Sequence, residues 1–77
     1  MKLKSVKYID GYVLEVVFNN KVKKQANFEN FLKQSKNPSI NENLEIEKFK
    51  TAKVENGFLS WNNGNMEISA ESVLKDF

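Results

Sequence analysis

The sequence predicts a small α+β domain: two three-stranded antiparallel meanders with a helix between them and a short C-terminal helix packing on the sheet. Three observations carry this expectation. Four turn dipeptides separate short β-rich runs, an i, i+3, i+4 apolar stripe lies between the third and fourth runs, and a second apolar stripe closes the chain. With 77 residues there is room for one core, so residues 1–77 are read as a single domain.

The turn pairs are Asp10-Gly11, Asn19-Asn20, Asn56-Gly57 and Asn63-Gly64, residue types that tolerate the positive φ of a two-residue hairpin. They delimit strands at 3–9, 12–18 and 21–26, then at 51–55, 58–62 and 65–68. Period two puts Tyr12, Leu14, Val16 and Phe18 on one face of the second strand and Val13, Glu15 and Val17 on the other. Both faces are largely apolar, the pattern of a central strand whose second face is partly covered by chain or by another subunit. In the first strand Leu3 and Ile9 have opposite parity to Val6 and Tyr8, which predicts a bulge near Ser5.

Asn27 is placed to cap a helix carrying Phe28, Phe31 and Leu32, with Glu29 in the first turn where the helix dipole favours a carboxylate. Lys36-Asn37-Pro38 reads as its stop, residues 39–43 as loop, and Leu44 to Phe49 as one or two turns starting from Asn43. Ser69 caps the last helix, whose Ala70, Val73, Leu74 and Phe77 fall on one face at i, i+3, i+4, i+7.

Composition excludes more functions than it supports. Twelve lysines face ten carboxylates for a net charge of +2, and cysteine, histidine and arginine are absent. That removes disulfides, thiolate zinc sites, cysteine nucleophiles and the commonest general base. The three glycines are each used by a turn, which leaves none for a phosphate-cradling loop. The carboxylates form no calcium loop or helix-borne metal pair. Glu42, Glu45 and Glu47, interleaved with Lys48 and Lys50, read as a solvated acidic face. The sequence implies no cofactor and no metal. Neither a signal peptide nor a membrane span fits a chain whose longest apolar runs, Tyr12-Val13-Leu14 and Val16-Val17-Phe18, are three residues, so the default location is cytoplasmic.

Residues 1–24 hold six lysines and two acids. Basic strands face phosphate or an acidic partner in some proteins, and guard a sheet edge against aggregation in others. Without arginine the bidentate fork that reads guanine is missing. Lys2, Lys4, Lys7, Lys21, Lys23 and Lys24, near Tyr8 and Tyr12, leave charge and stacking as a means of holding single strands. The most distinctive string is Trp61-Asn62-Asn63-Gly64-Asn65: an indole packed over the sheet before a type I′ turn, or a recognition loop.

One ordered set of residues is familiar: Val6, Tyr12-Val13-Leu14-Glu15-Val16-Val17-Phe18, Asn27-Phe28 at a helix start, Phe49, Val54, Trp61-Asn62-Asn63-Gly64 and Ile68-Ser69-Ala70-Glu71. It resembles the bacterial domain-of-unknown-function family numbered 2442, with its Y-x-L-x-V-x-F opening and W-P-N-G close. Asn62 and Ala70 stand where that family usually has proline, Lys21 where it often has glycine, and Asn27 where it often has aspartate. Glu67 reaches the acidic position with one extra residue after Gly64. The resemblance implies a small α+β domain, sometimes fused to a DNA-binding helix-turn-helix segment and sometimes beside another small protein, as in toxin–antitoxin pairs. It implies no catalytic residue.

The expected function is a non-enzymatic protein-interaction module, with an unidentified protein partner or self-association and no membrane. Val13, Val17, Trp61 and Asn63 are the candidate partner-binding residues. The alternative is a weak, non-sequence-specific binder of single-stranded nucleic acid through Lys2, Lys4, Lys21 and Lys23. An enzyme using scattered carboxylates ranks last.

Overall fold

A computed structural model describes residues 1–77. Strands β1 (Leu3–Asp10), β2 (Val13–Phe18) and β3 (Lys23–Asn27) form one antiparallel meander. Strands β4 (Lys53–Glu55), β5 (Phe58–Trp61) and β6 (Met66–Ile68) form a second. Between them lie helix α1 (Glu29–Gln34), two single-turn helices, α2 (Pro38–Asn41) and α3 (Ile46–Phe49), and a 3₁₀ turn at Glu42–Leu44. Helix α4 (Ala70–Asp76) follows the second meander. The α+β class and the two expected meanders are therefore present.

Local chemistry explains most element ends. Ser69 Oγ accepts the Ser72 N–H at 3.2 Å, the expected cap of α4. The N-cap of α1 is Phe28 and not the expected Asn27, whose side chain instead accepts the Glu29 N–H at 2.9 Å in an Asx turn leading into the helix. The segment read as loop at 39–43 is instead helical. Pro38 sits in the first turn of α2, where its missing N–H costs nothing, and Asn37 Oδ1 takes the Ser39 N–H at 2.9 Å. The proline starts a helix here and does not merely stop one. Asn43 does not cap α3, which begins after Glu45; Asn43 is fully buried.

The hairpins differ in kind. Asn56 and Gly57 have φ of 54° and 82° between the paired Glu55 and Phe58, the expected type I′ turn. The first turn consists of Gly11 and Tyr12, because Asp10 pairs with Val13. At the second, Lys21 donates its N–H to the Phe18 carbonyl and Phe18 donates its own to Val22, which lengthens the loop and delays β3 to Lys23. The positive φ, 73°, falls on Lys21 and not on the asparagines. At the fourth, Trp61 pairs with Met66 across Asn62–Asn65, and Asn62, Asn63 and Gly64 all have positive φ (50°, 58° and 92°). A two-residue turn is excluded there, and β5 ends at Trp61. Proline, fixed near −65°, has no access to the Asn62 conformation.

Strand β1 carries the expected bulge between Leu3 and Ser5, and a second between Tyr8 and Asp10. Each bulge switches side-chain parity, so Leu3, Val6 and Tyr8 all turn inward opposite Phe18, Val16 and Leu14. The inward residues join Ala26, Leu32, Leu59, Trp61, Ile68 and Val73 in one core. Leu74 is not among them: it is 41% exposed, because the α4 face that packs is narrower than the four-residue stripe.

Aromatic rings occupy the centre of that core. The Phe49 ring lies 5.4 Å from Tyr12, 6.2 Å from Tyr8, 6.1 Å from Phe28 and 6.0 Å from Trp61. Its backbone carbonyl accepts the Trp61 indole N–H at 3.0 Å. A polar network continues outward from there. The Asn43 amide donates to the Ser39 and Ile40 carbonyls, and Asn43 Oδ1 accepts from Asn62 Nδ2 at 2.7 Å. The Asn62 N–H in turn donates to Thr51 Oγ1 at 3.1 Å. Tyr12 donates its hydroxyl to the Leu44 carbonyl. The segment between the sheets is thus fastened to both of them.

Two outcomes follow for stability. Lys21→Gly relieves a non-glycine residue at positive φ and should raise the unfolding free energy in urea by about 0.5–1 kcal/mol. Asn43→Leu removes donors and an acceptor from a buried network, leaving the Ser39 and Ile40 carbonyls and the Asn62 amide without their partner. It should lower stability by about 1–3 kcal/mol on the same measurement, whereas Asn65→Ser, at an exposed tip residue with a φ of −62°, should change it far less.

Candidate partner-binding surfaces

The pairing registers settle which residues share the outer face of the first sheet. Ser5, Val17 and Lys23 form one cross-strand row, Lys7, Glu15 and Gln25 the next, and Asp10, Val13 and Asn27 the last. These residues have the opposite parity to Leu14, Val16 and Ala26, which are buried. Val13 and Val17 are half-buried by their row neighbours yet stand outside the core cluster. They form a small apolar pair divided by Glu15 and flanked by Lys7 and Lys23.

The lysines gather at one end of this sheet. The Asn19 N–H donates to the Lys2 carbonyl at 2.9 Å, which sets Lys2 beside the turn that bears Lys21. Lys23 lies in the Val17 row, and Lys4 is the extra residue of the first bulge. The stem of Lys2 runs over Gly57, where an added Cβ would come within 2.7 Å of it. Lys2, Lys4, Lys7, Lys21 and Lys23 are exposed, and none pairs with a carboxylate. Lys24 is different. It turns inward and donates to the Val73 and Leu74 carbonyls at 3.0 and 2.7 Å, capping α4.

Aromatic groups are missing from this basic end in the form that stacking requires. Tyr8 and Tyr12 pack edge-on against Phe49, and their hydroxyls donate to the Gly11 and Leu44 carbonyls. Trp61 offers no surface to a partner: it is fully buried, its ring against Phe28 and Phe49 and its N–H on a backbone carbonyl. Of the distinctive string, Asn63 stays exposed at the tip.

The acidic groups are dispersed. Lys48 bridges Glu42 and Glu45, each at 3.1 Å, and hydrogen bonds first to Glu42 and then to Glu45 hold its pKa above the ordinary value. Lys50 lies over the Tyr8 ring at 5.2 Å instead of joining them. Glu71, in the first turn of α4, is held below the usual carboxylate range by its own backbone N–H and then by the N-terminal ammonium at 3.4 Å. No three carboxylates converge as a metal cage would need. No helix is long and apolar enough to cross a membrane.

One groove, of about 540 Å³, opens between α1, β6 and α4. Phe31 and Phe77, 5.3 Å apart and edge to face, form its apolar part, and Asn27, Gln34, Glu67 and Asp76 line its polar part. Neither Glu67 nor Asp76 is ion-paired. Local pattern gives no sign of this groove, since its walls come from elements about forty residues apart in the chain.

No curated protein and no solved structure is similar enough to this chain to count as a match. The family model described as "Protein of unknown function (DUF2442)" matches residues 3–77, from the first residue of β1 to the end of α4 and beyond it to Phe77. That span takes in both meanders and every helix, and the chain therefore belongs to this family.

Proposed function

We propose that this domain is a non-enzymatic protein-interaction module whose partner covers the outer face of the first sheet. The observation that carries the reading is the Val13–Val17 pair: two apolar side chains on a central strand, half-open to solvent and separate from the core. A central strand with a second apolar face is unusual in a small domain that leaves that face wet. Covering the pair removes apolar area from water, while Lys7, Glu15 and Lys23 around it select a partner of complementary charge. The family resemblance suggests a bacterial setting and the second member of a toxin–antitoxin-like gene pair as the partner, and the cytoplasm is the default location we assign.

A second reading, weak binding of single-stranded nucleic acid, is favoured by the unpaired Lys2, Lys4, Lys21 and Lys23 at one end of the sheet. It ranks lower because Tyr8 and Tyr12 point into the core, so no base-stacking platform accompanies the charge.

The two readings separate experimentally. Replacing Val13 and Val17 together by lysine touches no core side chain but sets a second lysine opposite Lys23, and should lower stability by about 1–2 kcal/mol while leaving the chain folded. The same change should remove a stoichiometric protein partner recovered at moderate salt from the native cell with nuclease present; an undiminished complex overturns the first reading. For the second, oligonucleotide affinity should fall about fifty-fold between 50 and 200 mM salt if about four phosphates are neutralised. No binding at the lower salt, measured by fluorescence anisotropy, eliminates it.

A further inference from the structure

Strand β3 is an edge strand, paired with β2 on one side alone. The Phe18 N–H bonds to Val22 and the Phe28 N–H to Tyr12. These two bonds fix the alternation along the ladder: Lys24 and Ala26 direct their backbone groups to β2, and Lys23, Gln25 and Asn27 direct theirs to the free edge. We infer that this edge is a self-association surface, on which the β3 strand of a second copy of this chain adds antiparallel about a two-fold axis at Gln25.

Register and charge both favour a second copy as the occupant. Antiparallel pairing centred on Gln25 sets Gln25 opposite itself and Lys23 opposite Asn27 of the second copy. These are the residues whose N–H and C=O groups are free, so each pair exchanges two hydrogen bonds. Lys24 falls opposite Ala26 of the second copy, and no two lysines face each other. The usual defence of an edge by like charge is therefore lacking in this register. Lys24 is in any case tied to the Val73 and Leu74 carbonyls. Lys23, unpaired in one copy, arrives beside Asn27 of the other, at the mouth of the groove that carries the unpaired Glu67 and Asp76.

The apolar surface near the edge points the same way. Val22, just before β3, is 47% exposed, and Leu74, whose carbonyl takes Lys24 Nζ, is 41% exposed. In this register Val22 lies at the end of the paired segment, opposite Phe28 of the second copy, and Leu74 is held near β3 through Lys24. The assembly is isologous and closes as a dimer, with one sheet running through both copies.

The test exploits the absence of cysteine. Residues directly opposite in a hydrogen-bonded antiparallel pair have Cα atoms about 5.5 Å apart, within disulfide range. A Gln25→Cys chain should therefore cross-link to a covalent dimer under mild oxidation at micromolar concentration. A Lys23→Cys chain, whose thiols would sit about 13 Å apart along the strand, should not. Gln25→Pro removes an N–H that bonds nothing within the chain, and should convert the dimer seen by sedimentation into a monomer with an unchanged far-ultraviolet spectrum. A native chain that sediments as a monomer at 100 µM, or cross-linking no better at position 25 than at 23, overturns the inference. Adding Val13→Lys and Val17→Lys to the Gln25→Cys chain should leave its cross-linking unchanged, so failure of the outer-face reading and failure of the edge are told apart.

Discussion

The bond from the Trp61 indole to the Phe49 carbonyl is the joint on which the rest of the fold depends. The two sheets are separate ladders, and the 25 residues between them form only short helical turns. Isolated helices of this length are far below what is stable in water, so they are ordered by what they pack against. Phe49 provides that contact for both sheets at once, with Tyr8 and Tyr12 of the first meander on one side of its ring and Trp61 of the second close by. Truncating a buried aromatic of this kind costs about 3–5 kcal/mol, a large share of the stability of a domain this small. No disulfide shares that role, because the chain has no cysteine.

Asparagine supplies the polar counterpart of the aromatic joint. Asn43 is fully buried, and both ends of its amide are bonded. Its partner Asn62 reaches it from a backbone at φ 50°, a conformation closed to proline. The β5–β6 connection is four residues long, and the Asn62 N–H at its start donates to Thr51 Oγ1.

Concentrating the large side chains in this joint leaves the outer face of the first sheet with two valines and the β3 edge with no cover. Lys2, Lys4, Lys21 and Lys23 collect at the adjoining end of the sheet, while the unpaired Glu67 and Asp76 line the groove beyond Asn27. The first sheet therefore presents an apolar pair on its outer face, an open backbone edge and unpaired lysines at one end.

Much of this was legible along the chain, because it depends on neighbours in sequence. Turn pairs located both meanders, parity exposed the bulge in β1, and Asn27 and Ser69 marked helix starts, each being a matter of backbone φ or of a hydrogen bond spanning two or three residues. The outer-face position of Val13 and Val17 followed from the two-residue period alone. Other features depend on residues distant in sequence, and no local pattern encodes them. Trp61 is an anchor and not a contact because Phe49, twelve residues earlier, presents a carbonyl to it. Asn43 is a core residue and not a cap because Asn62 meets it, and Lys24 leaves the basic surface because α4 ends beside it. Residue type and spacing by themselves determined which segments are strands, turns and helices; only packing in three dimensions decided which polar and aromatic groups are consumed inside the fold and which remain free to bind.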